Sequence, residues 1–296
     1  MFTGLLSTLG IIWDLTESDF WTFVIPDTLF GIFGALSGQV LTDASSAATL
    51  KILQRFPLVL VYTWLNLVIF DLANQRDSSA EDAINKPHRP IPSGRLNSLQ
   101  MRRLLLISIP SVLVVSFMLE VWQETALLIA LTWMYNDLAG GDESFIIRNL
   151  IIAVAFGLYN YGALRVACGT NSAPTVEGHR WAALISGVIF STMQVQDLKD
   201  QKGDKVRSRS TAPLVLGDAI ARWTIVVPVI MWSFVCPYFL KVGIWGYLLP
   251  VGTGLLIAIR TLLYRDSKED NFTWEIWAGW LIILYMLPLV KNYDAF

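Results

Sequence analysis

Repeated apolar runs constrain this chain most. Nine of them, at about 20–40, 56–74, 104–119, 124–138, 149–167, 182–195, 223–240, 245–263 and 274–290, are long enough or nearly so to cross a bilayer as helices, for which about 20 residues are needed. Lipid offers backbone groups no partners, so such runs must pair theirs internally, as helices do. The expectation is an all-α, polytopic membrane protein: one membrane domain over 1–296, with an interfacial N-terminal segment at 1–19 and a nine-helix bundle at 20–290 around a central cavity. Composition agrees: 54% of the 296 residues are apolar and 16% charged, too greasy for an ordinary soluble domain. Trp21, Trp122, Trp181, Trp223, Trp245 and Trp274 stand at proposed span ends, where interfacial anchors belong. The two cysteines, Cys168 and Cys236, have no metal-site spacing.

Nine spans put the connections after the second and sixth on one side. The connections on that side carry about fifteen Lys and Arg against about six opposite, so the positive-inside rule makes it cytosolic. No signal selects an organelle, and the endoplasmic reticulum is the expected address. Nothing calls for nucleic acid or an obligate protein partner.

Those two connections also hold the chemistry. The first, FDLANQRDSSAEDAINKPHRPIPSGR from Phe70 to Arg95, sets Asp71, Asn74, Ser78 and Asp82 within an arc of about 80° on a helix, with Asp77 and Glu81 extending the same side. The second, DLKDQKGD, spaces Asp197, Asp200 and Asp204 at i, i+3 and i+7, an arc of about 60°. Like charges on one stripe repel, so a cation among them is implied. Lys86, Arg89 and Arg95 follow the first cluster, and Lys205, Arg207 and Arg209 the second. Carboxylates for Mg²⁺ beside bases for phosphate oxygens are what a diphosphate site needs.

On these residues the chain resembles the UbiA superfamily of intramembrane prenyltransferases. Asn74-Gln75, Asp82, the run 84–87 and Arg89-Pro90-Ile91-Pro92-Ser93-Gly94 resemble its first aspartate-rich motif and following loop; Asp197, Asp200 and Asp204 resemble its second. Ser78 stands where many members carry Asp, leaving Asp71, Asp77, Glu81 and Asp82 all open as first-cluster ligands. The resemblance implies a UbiA-like nine-helix bundle. It also implies Mg²⁺ held by Asp71, Asn74, Asp77, Glu81, Asp82, Asp197, Asp200 and Asp204, with Asp71, Asn74, Asp82, Asp197, Asp200 and Asp204 essential to catalysis. Lys86, Arg89, Arg95, Lys205, Arg207 and Arg209 would bind the diphosphate of an isoprenyl substrate. Membrane lipid surrounds the protein.

Family members either pass the allylic cation to an aromatic acceptor or let the substrate's own double bond attack it. Three stretches, FDxxNQ from Phe70, EDxxNKPxRPIPxG from Glu81 and YNDxxG from Tyr135, resemble the fungal membrane-bound terpene cyclases, whereas the Tyr-Pro stretch of many aromatic-acceptor members is missing from the fourth span. The resemblance therefore favours cyclisation of farnesyl or geranylgeranyl diphosphate in secondary metabolism, with aromatic prenyl transfer as the alternative. Trp64, Trp133, Tyr135, Tyr159 and Tyr161 are candidate π faces for the cation. Arg148 reads either as a phosphate ligand or as a topological charge. A cation transporter is the remote third reading, since intramembrane acids mark ion paths; gathering of the acids at one face speaks against it.

Overall fold

The computed structural model describes residues 2–43, 49–170 and 172–293. Helix α1 (Phe2–Asp19) runs through a π turn (Phe20–Val24) into α2 (Ile25–Leu36). There follow α3 (Thr49–Gln54), α4 (Phe56–Asp77), α5 (Ser79–Asn85), α6 (Ser98–Met118), α7 (Trp122–Asn136) and α8 (Gly140–Glu143). The chain continues through α9 (Phe145–Cys168), α10 (Val176–Thr192), α11 (Asp197–Arg207), α12 (Ala212–Leu216), α13 (Asp218–Leu240), α14 (Leu248–Leu263) and α15 (Ser267–Tyr293). Among the described residues there is no strand, only one bridge between Thr42 and Pro174.

Seven helical segments are long and apolar enough to cross a membrane: Gly10–Leu36, Thr49–Asp77, Ser98–Met118, Phe145–Cys168, Asp218–Leu240, Ile244–Leu263 and Ser267–Lys291. The expected fourth and sixth spans are the shorter α7 and α10, of 15 and 17 residues. The segment expected to be separate from the first span is helical and continues into it. Gln75 on α4 donates to the Leu15 carbonyl at 2.7 Å and Trp64 to Thr16 at 3.0 Å, which fixes α1 against α4.

Local chemistry sets several helix starts. Asn97 and Gln100 form a reciprocal capping box at the head of α6, while Ser144 and Thr175 cap α9 and α10. A core of Phe30, Val59, Ala163, Leu164, Trp277 and Leu284 joins α2, α4, α9 and α15. There α2 and α9 come so close that a Cβ on Gly31 would meet the Ala163 backbone at 2.6 Å, the small-residue contact by which membrane helices pack without a hydrophobic driving force. Helix α6 lies outside this core: only 17% of its most apolar stretch is buried, and Leu106, Phe117 and Met118 are exposed, as suits side chains facing lipid.

Two of the expected interfacial tryptophans are instead packed inside. Trp181 is fully buried beside Phe239, and Trp274 is buried in a stack with Trp277. A tryptophan at a span end covers core as readily as it anchors. Trp21, Trp122, Trp223 and Trp245 are exposed as expected.

Candidate active site

Helix α4 carries an apolar stripe toward one end of the bundle and finishes it with Asp71 and Asn74. Ser78 breaks the helix, donating to the Asn74 carbonyl at 2.6 Å, and α5 then presents Glu81, Asp82 and Asn85. Helix α11 lies directly against α5. A Cβ on Gly203 would sit 2.2–2.8 Å from the Asn85 side chain, and Asn85 donates to the Asp200 carbonyl at 3.3 Å. Gln201 donates to Asp218 of α13 at 3.1 Å, and Ser267 at the head of α15 donates to the Lys199 carbonyl at 2.8 Å. The two acidic clusters, more than a hundred residues apart in sequence, are thus fastened side by side.

Between them opens a cavity with about 1110 Å³ of empty space, its mouth included. Asp71, Asn74, Glu81, Asp82, Lys86, Arg89, Asp200 and Arg209 line the ionic part, joined by Asp19 from α1 and Arg148 from α9. Further in, the walls are Phe23, Leu67, Phe70, Leu128, Tyr135, Ile152, Phe156 and Tyr159. One space therefore joins a charged mouth to an aromatic, apolar body.

In this structure the cluster carboxylates other than Asp71 are paired with bases. Arg89 donates to Asp82 at 2.9 Å and to Asp19 at 2.7 Å. Arg148 holds Asp197 at 2.6 Å and donates to the Tyr135 hydroxyl at 3.1 Å. Arg209 reaches Glu81 at 2.9 Å, Asp142 at 2.9 Å and Asp204 at 3.3 Å. Arg207 bonds Ser78 and contacts Glu81 at 3.3 Å and Asp142 at 3.2 Å; Lys199 holds Asp200 at 3.1 Å. Burial raises the Asp82 carboxyl above its usual range against the pull of Arg89 and Lys86. It does the same to Asp197 against Arg148. Burial, together with the charge of Asp197, pushes Asp204 up to about 7. Lys86 is pushed down by burial and then by Arg89. Each direction marks a charge that is short of compensation.

Among the described residues no group of three or more Asp, Glu, His or Cys is gathered as a preformed metal site. The donor chemistry nevertheless suits a hard cation. Asp71, Asp82, Asp197 and Asp204 each bury one carboxyl oxygen, Oδ2, that has no hydrogen-bond partner. Mg²⁺ needs little more, since it keeps several waters and is usually held by one or two carboxylates plus substrate phosphates.

Six of the expected site residues do not line the cavity: Asp197, Asp204 and Arg207 are tied to its wall through Arg148, Arg209 and Glu81, whereas Asp77, Arg95 and Lys205 stand apart. Asp77 is 58% exposed and bonded to Arg76, because α4 carries it about 120° round the helix from Asp71. Arg95 bonds Asp14 and the His88 carbonyl on the loop surface, and Lys205 is exposed on the outer side of α11. Of the five aromatics, Tyr135 and Tyr159 line the cavity. Trp64 packs on α1, Trp133 is exposed, and Tyr161 pairs with His179; Phe23, Phe70 and Phe156 take their places. Sequence reasoning missed Asp19. Its signal was an acid eight residues before another acid, Asp27, at the head of an apolar run.

Residues 28–283 match the model of the UbiA prenyltransferase family. The chain is 29% identical over 285 residues to the diterpene cyclase eriG of Hericium erinaceus, covering 93% of this chain and 86% of that protein. It is 28% identical over 308 aligned positions to the polyprenyl transferase eriF of the same fungus, covering 99% and 98%. A UbiA homolog from Archaeoglobus fulgidus, solved bound to DMAPP and Mg²⁺, has the same fold, with a TM-score of 0.65 at 13% identity over 94% of this chain and 98% of that one. Two acidic clusters on neighbouring helices, a cavity behind them, a bundle of apolar helices and a match over most of the length agree: the chain belongs to the UbiA prenyltransferase family and is an integral membrane enzyme of the terpene cyclase or prenyltransferase kind.

Proposed function

We propose that the protein is a Mg²⁺-dependent terpene cyclase that ionises farnesyl or geranylgeranyl diphosphate and closes the hydrocarbon on itself, with nine crossings and the acidic face toward the cytosol in the endoplasmic reticulum. What supports this is the single cavity in which an ionic mouth opens into an aromatic body. In the reaction the allylic C–O bond breaks and its electron pair leaves with the diphosphate. Lys86, Arg89 and Arg209 at the mouth hold the diphosphate oxygens as charge develops on them, and fixed charges in a dry site are strong stabilisers of such a leaving group. Mg²⁺, when bound, acts as a Lewis acid on those oxygens. Asp71, Asp82, Asp200 and Asn74 are the cavity-lining candidates to hold it, with Asp197 and Asp204 behind them. Phe23, Phe70, Tyr135, Phe156 and Tyr159 fold the chain and offer π faces to the migrating cation. A distal double bond then supplies the electron pair for the new C–C bond, and proton loss ends the reaction.

The alternative, transfer to an aromatic acceptor, draws on the likeness to the polyprenyl transferase. Membranes holding the protein, given Mg²⁺ and either diphosphate without an acceptor, should yield a cyclic hydrocarbon. A product that forms only when a phenolic acceptor is added would reverse the assignment. Adding excess EDTA should abolish diphosphate release, and Mg²⁺ should restore it.

A further inference from the structure

Asp27 is a cavity carboxyl with no part in the ionic mouth. It lies on α2 eight residues beyond Asp19 in one continuous helical segment that includes the π turn, hence about two turns deeper along the axis, and only 2% of it is exposed. It lines the cavity beside Phe23, Thr63, Phe156 and Tyr159. Its Oδ1 is buried without a hydrogen-bond partner. Among the described residues, the other partnerless polar atoms on the cavity wall belong to Asp71, Asp82 and Arg89, all at the mouth.

The position is held from both sides. Thr28, the next residue, shares a 2.9 Å hydrogen bond with Thr63 of α4, and at Gly31, one turn on, α2 presses against the backbone of α9. A buried polar atom with no partner costs free energy, and an unpaired acid inside a membrane bundle marks a functional site.

We infer that Asp27 is a further catalytic residue, the base that takes the proton ending the cyclisation. The inference rests on the cyclase reading above. The C–H bond beside the cationic carbon breaks, its electron pair becomes the new double bond, and the proton goes to Oδ1 of Asp27, to be passed to water after the product leaves. A tertiary carbocation is acidic enough that a carboxyl oxygen suffices. The departed diphosphate, held at the mouth by Lys86 and Arg89, is out of reach of a cation formed at the far end of the isoprenyl chain. Among the described residues that line the cavity, Asp27 is the carboxyl at that depth.

The test compares wild type with Asp27→Asn and Asp27→Leu, incubated with Mg²⁺ and farnesyl or geranylgeranyl diphosphate, with diphosphate release and extracted products measured separately. Diphosphate release should stay within about threefold of wild type, since the ionising residues are untouched. The main cyclic hydrocarbon should fall by roughly a hundredfold or more, the scale of losing a general base, and prenyl alcohols or alkenes from earlier cations should replace it. Asp27→Leu removes a partnerless buried polar group and should melt no lower than wild type, which guards against a folding explanation. An unchanged product profile in either variant overturns the inference. So does equal loss of diphosphate release and product in a variant of unchanged melting temperature, because Asp27 would then act in ionisation. A wild-type protein that makes no cyclic product overturns the cyclase reading itself, and the inference falls with it.

Discussion

Asp204 is buried with one oxygen on Arg209 and the other on nothing, and burial, together with the charge of Asp197, pushes its carboxyl up to about 7. A carboxyl whose folded pKa is raised contributes stability below its unfolded pKa and loses it as pH rises through the folded one. Thermal melts of the ligand-free protein should therefore decline between pH 4 and pH 7 and level off above, with a shallower decline in Asp204→Asn. Asp197 makes a sharper case. Its removal leaves Arg148 buried without a counter-charge, which costs on the order of 3 kcal/mol in buried pairs; Asp197→Ala should show that loss in chemical denaturation, and Arg148→Met combined with it should recover much of it. At this scale the sequence was legible for the acids, because i, i+3, i+7 spacing is a local property. Their partners were not. That Arg148 meets Asp197, or Asp19 meets Arg89, is decided by helices crossing in space, and no spacing encodes it.

The helices themselves were easier to read than their borders and faces. All nine apolar runs are helices, since a run of that length in lipid has no other way to satisfy its backbone. The π turn at Phe20–Val24, which links α1 to α2 and brings Asp19 to the mouth, has no signature in apolar periodicity. Nor has the inward turn of Trp181 and Trp274. At the site, α11 seats on α5 at Gly203, where an added Cβ would meet the Asn85 side chain at 2.2 Å. Gly203→Leu should push the two acidic clusters apart. Expected is at least a ~10-fold fall in kcat/KM with a raised Mg²⁺ requirement, while the apolar helices keep the far-ultraviolet spectrum of wild type; such losses are typical of small misplacements near a reacting centre. An unchanged Mg²⁺ requirement would mean the clusters act independently.

At the scale of the whole molecule, the bundle divides into an inner set of α2, α4, α9 and α15 and an outer helix, α6, whose exposed face is apolar. The proposed orientation has a direct check: cysteines placed at Arg95 or Lys205, both surface positions, should react with membrane-impermeant maleimide only from the cytosolic side. Along one edge of this molecule, arginines and lysines already pair with Asp82, Asp197, Asp200 and Asp204, acids that would bind metal. The resting mouth is thus a salt that carries its own counter-ions. On the proposed reading, a metal arriving alone meets carboxylates whose charge is largely spent on a guanidinium or ammonium, and a diphosphate arriving alone meets bases whose charge is spent on carboxylates. Arriving together, they let every partner change hands at once, so the two ligands should each tighten the other's binding, and ambient magnesium should leave the idle enzyme uncharged.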